Sequence, residues 1–208
     1  MDWRALYELL DARFEIGAWW PAESGFEVMV GAVLTQNTTW TSVEQAVAHL
    51  RQAQCLTPEA VRSCPDAELV RFIRPAGSYT RKAATLKGLA AWLAEHGEEA
   101  PDMPDTALRE SLLAVNGVGP ETADVICLYV YDRPVFVFDA YARRMLEALG
   151  APVGSTYEGT RRLHQDSVHQ AGLSAREHGR FHGLVVTAGK RARTVGWAQA
   201  LGDRLRAG

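Results

Sequence analysis

The stretch from Leu112 to Asp124, LLAVNGVGPETAD, has residue types that can hold an anion. An apolar helix ends, Gly117-Val118-Gly119 turns, and Pro120 leads the next helix. Two glycines two residues apart let the backbone turn tightly and come close to another molecule. The amides of such a turn, with a helix N-terminus behind them, suit a phosphate and need no lysine. Any glycine-capped helical hairpin would look the same, so the pattern alone leaves both readings open. Asp139 is the second candidate. It follows four apolar residues and precedes AYARRMLEAL, where the simplest role is an N-cap. Cys55, Cys64 and Cys127 make no metal-ligand spacing, and an odd, sparse count suits a reducing compartment.

Nearly the whole chain reads helical. Residues 2–14 put Trp3, Leu6, Tyr7, Leu10 and Phe14 at helical spacing. Ser24 with Glu27 reads as a capping box opening the apolar run FEVMVGAVLTQ. Helices are expected over 41–53, 79–96, 105–113, 120–131, 139–149, 156–170 and 174–200, and Pro58 and Pro65 suit the first turns of two more. Val135 to Phe138 is strand-like, but it has no partner run and reads as a buried extended segment. The expectation is an all-α chain of about ten short helices.

The 208 residues are 47% apolar and 23% charged, an ordinary globular balance that excludes disordered and fibrous classes. No apolar run reaches the roughly 18 residues of a membrane span, and the chain opens on Asp2 and Arg4 rather than a signal peptide. No membrane partner and a cytoplasmic location are expected. The net charge of −3 argues mildly against nucleic acid, but it is uneven. Residues 139–208 hold 11 Lys+Arg and 6 Asp+Glu, while residues 1–138 hold 11 and 19. A basic C-terminal third hints at a polyanion; a solvated arginine-rich helix face explains it equally well.

In this context the hairpin resembles the L-P-G-V-G-x-x-T-A pattern of the helix–hairpin–helix DNA glycosylases, the endonuclease III superfamily. FEVMVGAVLTQNTTWTSVEQA is similar to the family's F-E-x-L-x-x-x-x-L-S-x-Q segment, and Ala76 to Ala83 to its G-x-Y-x-x-K-A. Val137-Phe138-Asp139 resembles its V-D, and Phe181-His182-Gly183 its H-G. Five blocks in family order cover about residues 20–190. The branch of 3-methyladenine DNA glycosylase III looks most similar, through Trp19-Trp20-Pro21, Gly31 to Thr38, Glu121 and Phe181 to Gly183. The resemblance implies two helical domains with a DNA-binding cleft between them. One is a six-helix barrel over 21–133; the other joins 1–20 to 134–208 and carries Asp139. It also implies a monomer acting on double-stranded DNA with a damaged base.

The same resemblance assigns roles. Asp139 becomes the catalytic carboxylate, stabilising the oxocarbenium character at C1′ and aligning water. Glu121 stands where bifunctional members carry a lysine, and a carboxylate cannot form an imine, so base release without strand cleavage is expected. Trp19, Trp20, Pro21, Trp40 and Glu121 would form the base pocket, where indoles favour a cationic alkylated purine. Asn37 and Ser78 fall at the positions of the wedges that fill the gap left by the flipped base; Gln36, adjacent to Asn37, could serve in its place, and Ser78 is too small for that work. Gly117, Val118, Gly119, Thr122 and Arg144 would meet phosphates, and the carbonyls of Leu113, Val115 and Val118 a monovalent cation. Four cysteines hold an iron–sulfur cluster in many relatives; here those positions are Thr187, Thr194, Trp197 and Asp203, so no cluster is expected. The stretch stays basic through Lys190, Arg191, Arg193, Arg204 and Arg206, and packing around Trp197 would replace the cluster. Lys190 is the one available counterpart of a modified lysine in that branch; an ordinary solvated lysine is the simpler reading. Two other functions fit the same pattern: a glycosylase for mismatched, deaminated or oxidised bases, and a non-catalytic DNA-binding protein. The retained Asp139 disfavours the last.

Overall fold

The computed structural model describes residues 1–17 and 19–202, so Asp203, Arg204 and Arg206 lie outside the described residues. The described chain is all-helical, with no strand. Twelve α-helices follow in order: α1 (Trp3–Arg13), α2 (Gly25–Leu34), α3 (Trp40–Gln52), α4 (Pro58–Ser63), α5 (Asp66–Ile73), α6 (Tyr79–His96), α7 (Asp105–Leu113), α8 (Pro120–Tyr131), α9 (Ala140–Ala148), α10 (Tyr157–Gln170), α11 (Ala175–Val195) and α12 (Trp197–Leu201). Short 3₁₀ turns at Arg74–Ala76 and Ala100–Asp102 complete the set. None of the described helices is long and apolar enough to cross a membrane.

Small polar side chains start most of these helices. Asp2, Thr39, Thr57 and Thr156 each accept the amide three residues on, worth about 1 kcal/mol apiece. Ser24 does the same for Glu27, but the expected box is only half built. The Glu27 carboxylate turns to the Glu23 amide (3.2 Å) and to Arg51 (2.5 Å) instead of the Ser24 amide. A complete capping box stands at Ser174 and Glu177. The run expected as one helix over 174–200 is two, because Gly196 takes φ +79° and ends α11. Residues 132–139 form no helix or strand: Asp132 takes φ +51°, the Val135 amide turns back to the Arg133 carbonyl (2.8 Å), and Phe136, Val137 and Phe138 are buried.

The chain groups into two compact units, residues 22–131 and residues 1–21 with 132 onward. In the first, α2 is buried on nearly every side and packs on α8, α6 and α3. Asp124 of α8 is fully buried and takes Arg109 of α7 at 2.6 Å. That pair fixes the two helices flanking the hairpin turn. In the second unit Trp3 is the hub. Its ring meets Phe136 (5.0 Å), Phe138, His164 and Phe181, and its Nε1 donates to Ser167 (2.9 Å). Arg13, at the end of α1, donates to the carbonyls of Gln199 and Ala200 and so holds α12.

His178 lies in this core, and burial pulls its pKa down to about 4. The unfolded chain takes up that proton near pH 6.5. Stability should therefore fall as pH drops from about 6.5 to 4, by about 3 kcal/mol in all. Denaturant midpoints at pH 7, 5.5 and 4.5 check this, and His178→Phe should flatten the fall. Glu177 is held near 2 by the Ser174 amide and hydroxyl and by Arg4, so its contribution is lost only at lower pH. A profile that His178→Phe leaves unchanged would remove the histidine as the cause.

Candidate functional site

Asp139 ends the 132–139 segment and caps α9. Its Oδ1 accepts the Ala142 amide at 2.7 Å, which fixes the carboxylate against the backbone. Its Oδ2 lies 3.7 Å from His182 Nε2, too far for a hydrogen bond. The group is 8% exposed. One oxygen is thus committed to the helix, and the other is held close to an imidazole without being locked to it.

His182 of α11 is flanked by two indoles, Trp19 at 5.9 Å and Trp20 at 6.4 Å between ring centroids. Gly183 makes room for the first: a Cβ there would sit 2.7 Å from the Trp19 ring. Trp19 Nε1 is buried with no partner among the described residues. Trp20 adopts φ +64°, in the region that favours glycine, and Pro21 is exposed. Asp139, His182, Trp19 and Trp20 therefore form one cluster inside one unit. His182 was readable only as part of the F-H-G block, with no role attached. Arg144 is exposed on α9, its guanidinium 5.0 Å over the Tyr141 ring.

The hairpin belongs to the other unit. Gly117 takes φ +89°, and a Cβ there would lie 2.0 Å from Thr85 Oγ1, so two constraints require glycine. Gly119 has open space where its Cβ would be, which leaves the turn approachable. Gln36 Nε2 donates to the Gly117 carbonyl (3.2 Å) and to Thr122 Oγ1 (3.0 Å). This changes two expectations. Gln36 braces the hairpin rather than standing clear as a wedge, and the Thr122 hydroxyl is buried against Gln36 rather than aimed at a phosphate. The Thr122 amide, in the first turn of α8, remains suited to an anion. Glu121 is exposed on the same turn, and Trp40, half-buried at the start of α3, donates to Glu44 (3.0 Å).

Two exposed turns complete this surface. Asn37 has φ +53° and Ser78 φ +44°. Beside Ser78 stands Tyr79, 38% exposed, one of few large apolar side chains open to solvent among the described residues. In the sequence Tyr79 was readable only as the aromatic of the G-x-Y-x-x-K-A block, with no role attached.

Residues 30–170, about two thirds of the chain, match the model of the HhH-GPD superfamily of base excision DNA repair proteins. The chain belongs to this superfamily. A Methanocaldococcus jannaschii protein named as a DNA repair glycosylase is 42% identical over 150 residues, 70% of this chain and 68% of that one. An Arabidopsis thaliana chloroplastic endonuclease III homolog is 33% identical over 132 residues, 62% of this chain but only 33% of its own length. The solved H. pylori 3-methyladenine DNA glycosylase, bound to 1,N6-ethenoadenine, superposes with a TM-score of 0.76 at 25% identity, covering 92% of this chain and 98% of that one.

Within this HhH-GPD chain, three of the four positions expected to correspond to cluster cysteines are helical. Thr187 donates to the Gly183 carbonyl inside α11, Thr194 is exposed near its end, and Trp197 begins α12 against the core of its unit; Asp203 lies outside the described residues. Lys190 is exposed on α11. The carbonyls of Leu113, Val115 and Val118 are neutral oxygen donors of the kind a monovalent cation takes. Val115 O already accepts the Val118 amide at 3.0 Å, which uses one of its two lone pairs.

Proposed function

We propose that this chain is a monofunctional DNA glycosylase that excises alkylated purines from double-stranded DNA by base flipping and attack of water at C1′. The observation that carries this reading is the Asp139 carboxylate. One oxygen is pinned by a helix amide, and the other sits in a cluster of His182, Trp19 and Trp20. A fixed anion at that place stabilises positive charge growing on the sugar and orients water for attack. Indoles beside it favour a flat cationic base, for which the glycosidic bond is already weakened. Glu121, in the first turn of α8, has no amine to attack C1′. The H. pylori relative supports the choice of alkylated purine among the lesions.

The test is a panel of duplexes carrying single lesions, 3-methyladenine, 1,N6-ethenoadenine, uracil and 8-oxoguanine, incubated with the protein and heated in alkali. Release of the first two, with no covalent adduct on borohydride reduction, is the expected outcome. Release of uracil or 8-oxoguanine alone would overturn the substrate, and a strong borohydride adduct would overturn the water mechanism. If every lesion survives, the chain is a DNA-binding module.

A further inference from the structure

Lys82 is a charged residue that the mechanism above leaves unused. It sits in the first turn of α6, yet it is only 1% exposed. Its Nζ donates to three backbone carbonyls: Leu34 at 2.9 Å, Gln36 at 2.8 Å and Ala76 at 2.8 Å. Burial and the neighbouring Arg81 pull its pKa down. Only the ammonium form has three N–H groups, however, and each carbonyl uses one.

The acceptors are not scattered. Leu34 ends α2, and Gln36 lies in the turn that follows; Ala76 ends the 3₁₀ turn before α6. The Gln36 carbonyl joins directly to Asn37, at φ +53°, and Ala76 leads through Gly77 to Ser78, at φ +44°. Both are non-glycine residues in the left-handed region, a conformation that persists only when its surroundings impose it. Both are exposed, with Tyr79 beside the second. Gln36 also carries its side chain to the hairpin at Gly117 and Thr122. One ammonium therefore ties the Asn37 turn to the Ser78–Tyr79 turn, and through Gln36 to the hairpin. An apolar side chain could fill the same space, but it could not register two turns from segments some 40 residues apart.

We propose that Lys82 is the positioning residue for duplex interrogation. It sets the spacing of the two exposed turns before DNA arrives, so that Asn37 and Tyr79 meet the stack while a base is extruded. The proposal rests on the glycosylase reading above. Its function belongs to opening a paired base and not to the bond-breaking step.

The experiment is single-turnover base release from 1,N6-ethenoadenine placed in a fully paired duplex and, separately, opposite an abasic gap, where extrusion meets less resistance. Lys82→Met should slow release from the paired duplex at least about 30-fold and from the gapped duplex less than about threefold. Lys82→Gln, with two donors, should fall between it and the unmodified protein. Asp139→Asn should slow both substrates alike. Equal losses on both substrates in Lys82→Met, or no loss on either, would overturn the proposal. If Lys82→Met does not fold, Lys82→Gln carries the comparison; if both unfold, the lysine holds the whole unit together and the positioning role falls. Failure of the glycosylase reading shows separately, as no release from either substrate by the unmodified protein.

Discussion

Asp139→Asn is expected to lower release of an alkylated purine about a thousandfold while leaving the fold intact. The argument turns on the two carboxylate oxygens. Oδ1 caps α9 through the Ala142 amide, and asparagine caps about as well as aspartate, so the helix keeps its start. Oδ2 lies 3.7 Å from His182, beyond hydrogen-bond distance of it. What the substitution removes is negative charge where the sugar would become positive. Asp139→Ala should lose activity to the same degree and about 1 kcal/mol of stability besides, because the cap goes too. Single-turnover rates and thermal melts on both variants separate these effects. An asparagine variant retaining a tenth or more of the rate would leave Asp139 as a cap alone.

Gly117→Ala is expected to cost about 3 kcal/mol, the largest stability loss of any single methyl addition at the hairpin. An L-residue at φ +89° is strained, and its Cβ would be driven into Thr85 Oγ1 at 2.0 Å. The turn must shift, and the Gly117 carbonyl that accepts Gln36 shifts with it. DNA affinity should fall as well. Gly119→Ala is the control, because nothing lies within 4 Å of its Cβ. It should cost less than about 1 kcal/mol, so that any loss of DNA affinity there reports on phosphate approach. Denaturant unfolding with duplex binding at two salt concentrations reads both. A Gly117→Ala protein as stable as the original would mean that the turn accommodates a side chain after all.

Local signals in the sequence carried much of the architecture. The bounds of α8 follow from Pro120 and an apolar run, and Val135 to Phe138 stayed strandless because no second run could pair with it. Errors arose where two local signals competed. Glu27 suited a capping box, but Arg51 of α3 draws its carboxylate away. Gly196 sat inside a helical pattern and ended it. The site was legible where chemistry is carried by a motif, at Asp139 and Gly117. Lys82 was not, because a lysine in a first helical turn reads as solvated and its acceptors lie up to 48 residues away. His182 was hidden for the same reason: its distance to Asp139 comes from a fold that brings residues 139 and 182 together.

The partition of the chain also bears on the order in which the protein is completed during synthesis. Residues 22–131 are continuous, and their ends meet, with a Cβ at Gly25 placed 3.0 Å from Val130. They can therefore close on themselves while the ribosome is still adding residues. The other unit cannot. Trp3 waits for Ser167, 164 residues later, and Arg4 waits for Glu177. The hairpin proposed to meet phosphate is thus ready first, and the carboxylate proposed to break the sugar–base bond is set in place last. On the proposed roles, a nascent chain acquires its anchoring turn before its chemistry.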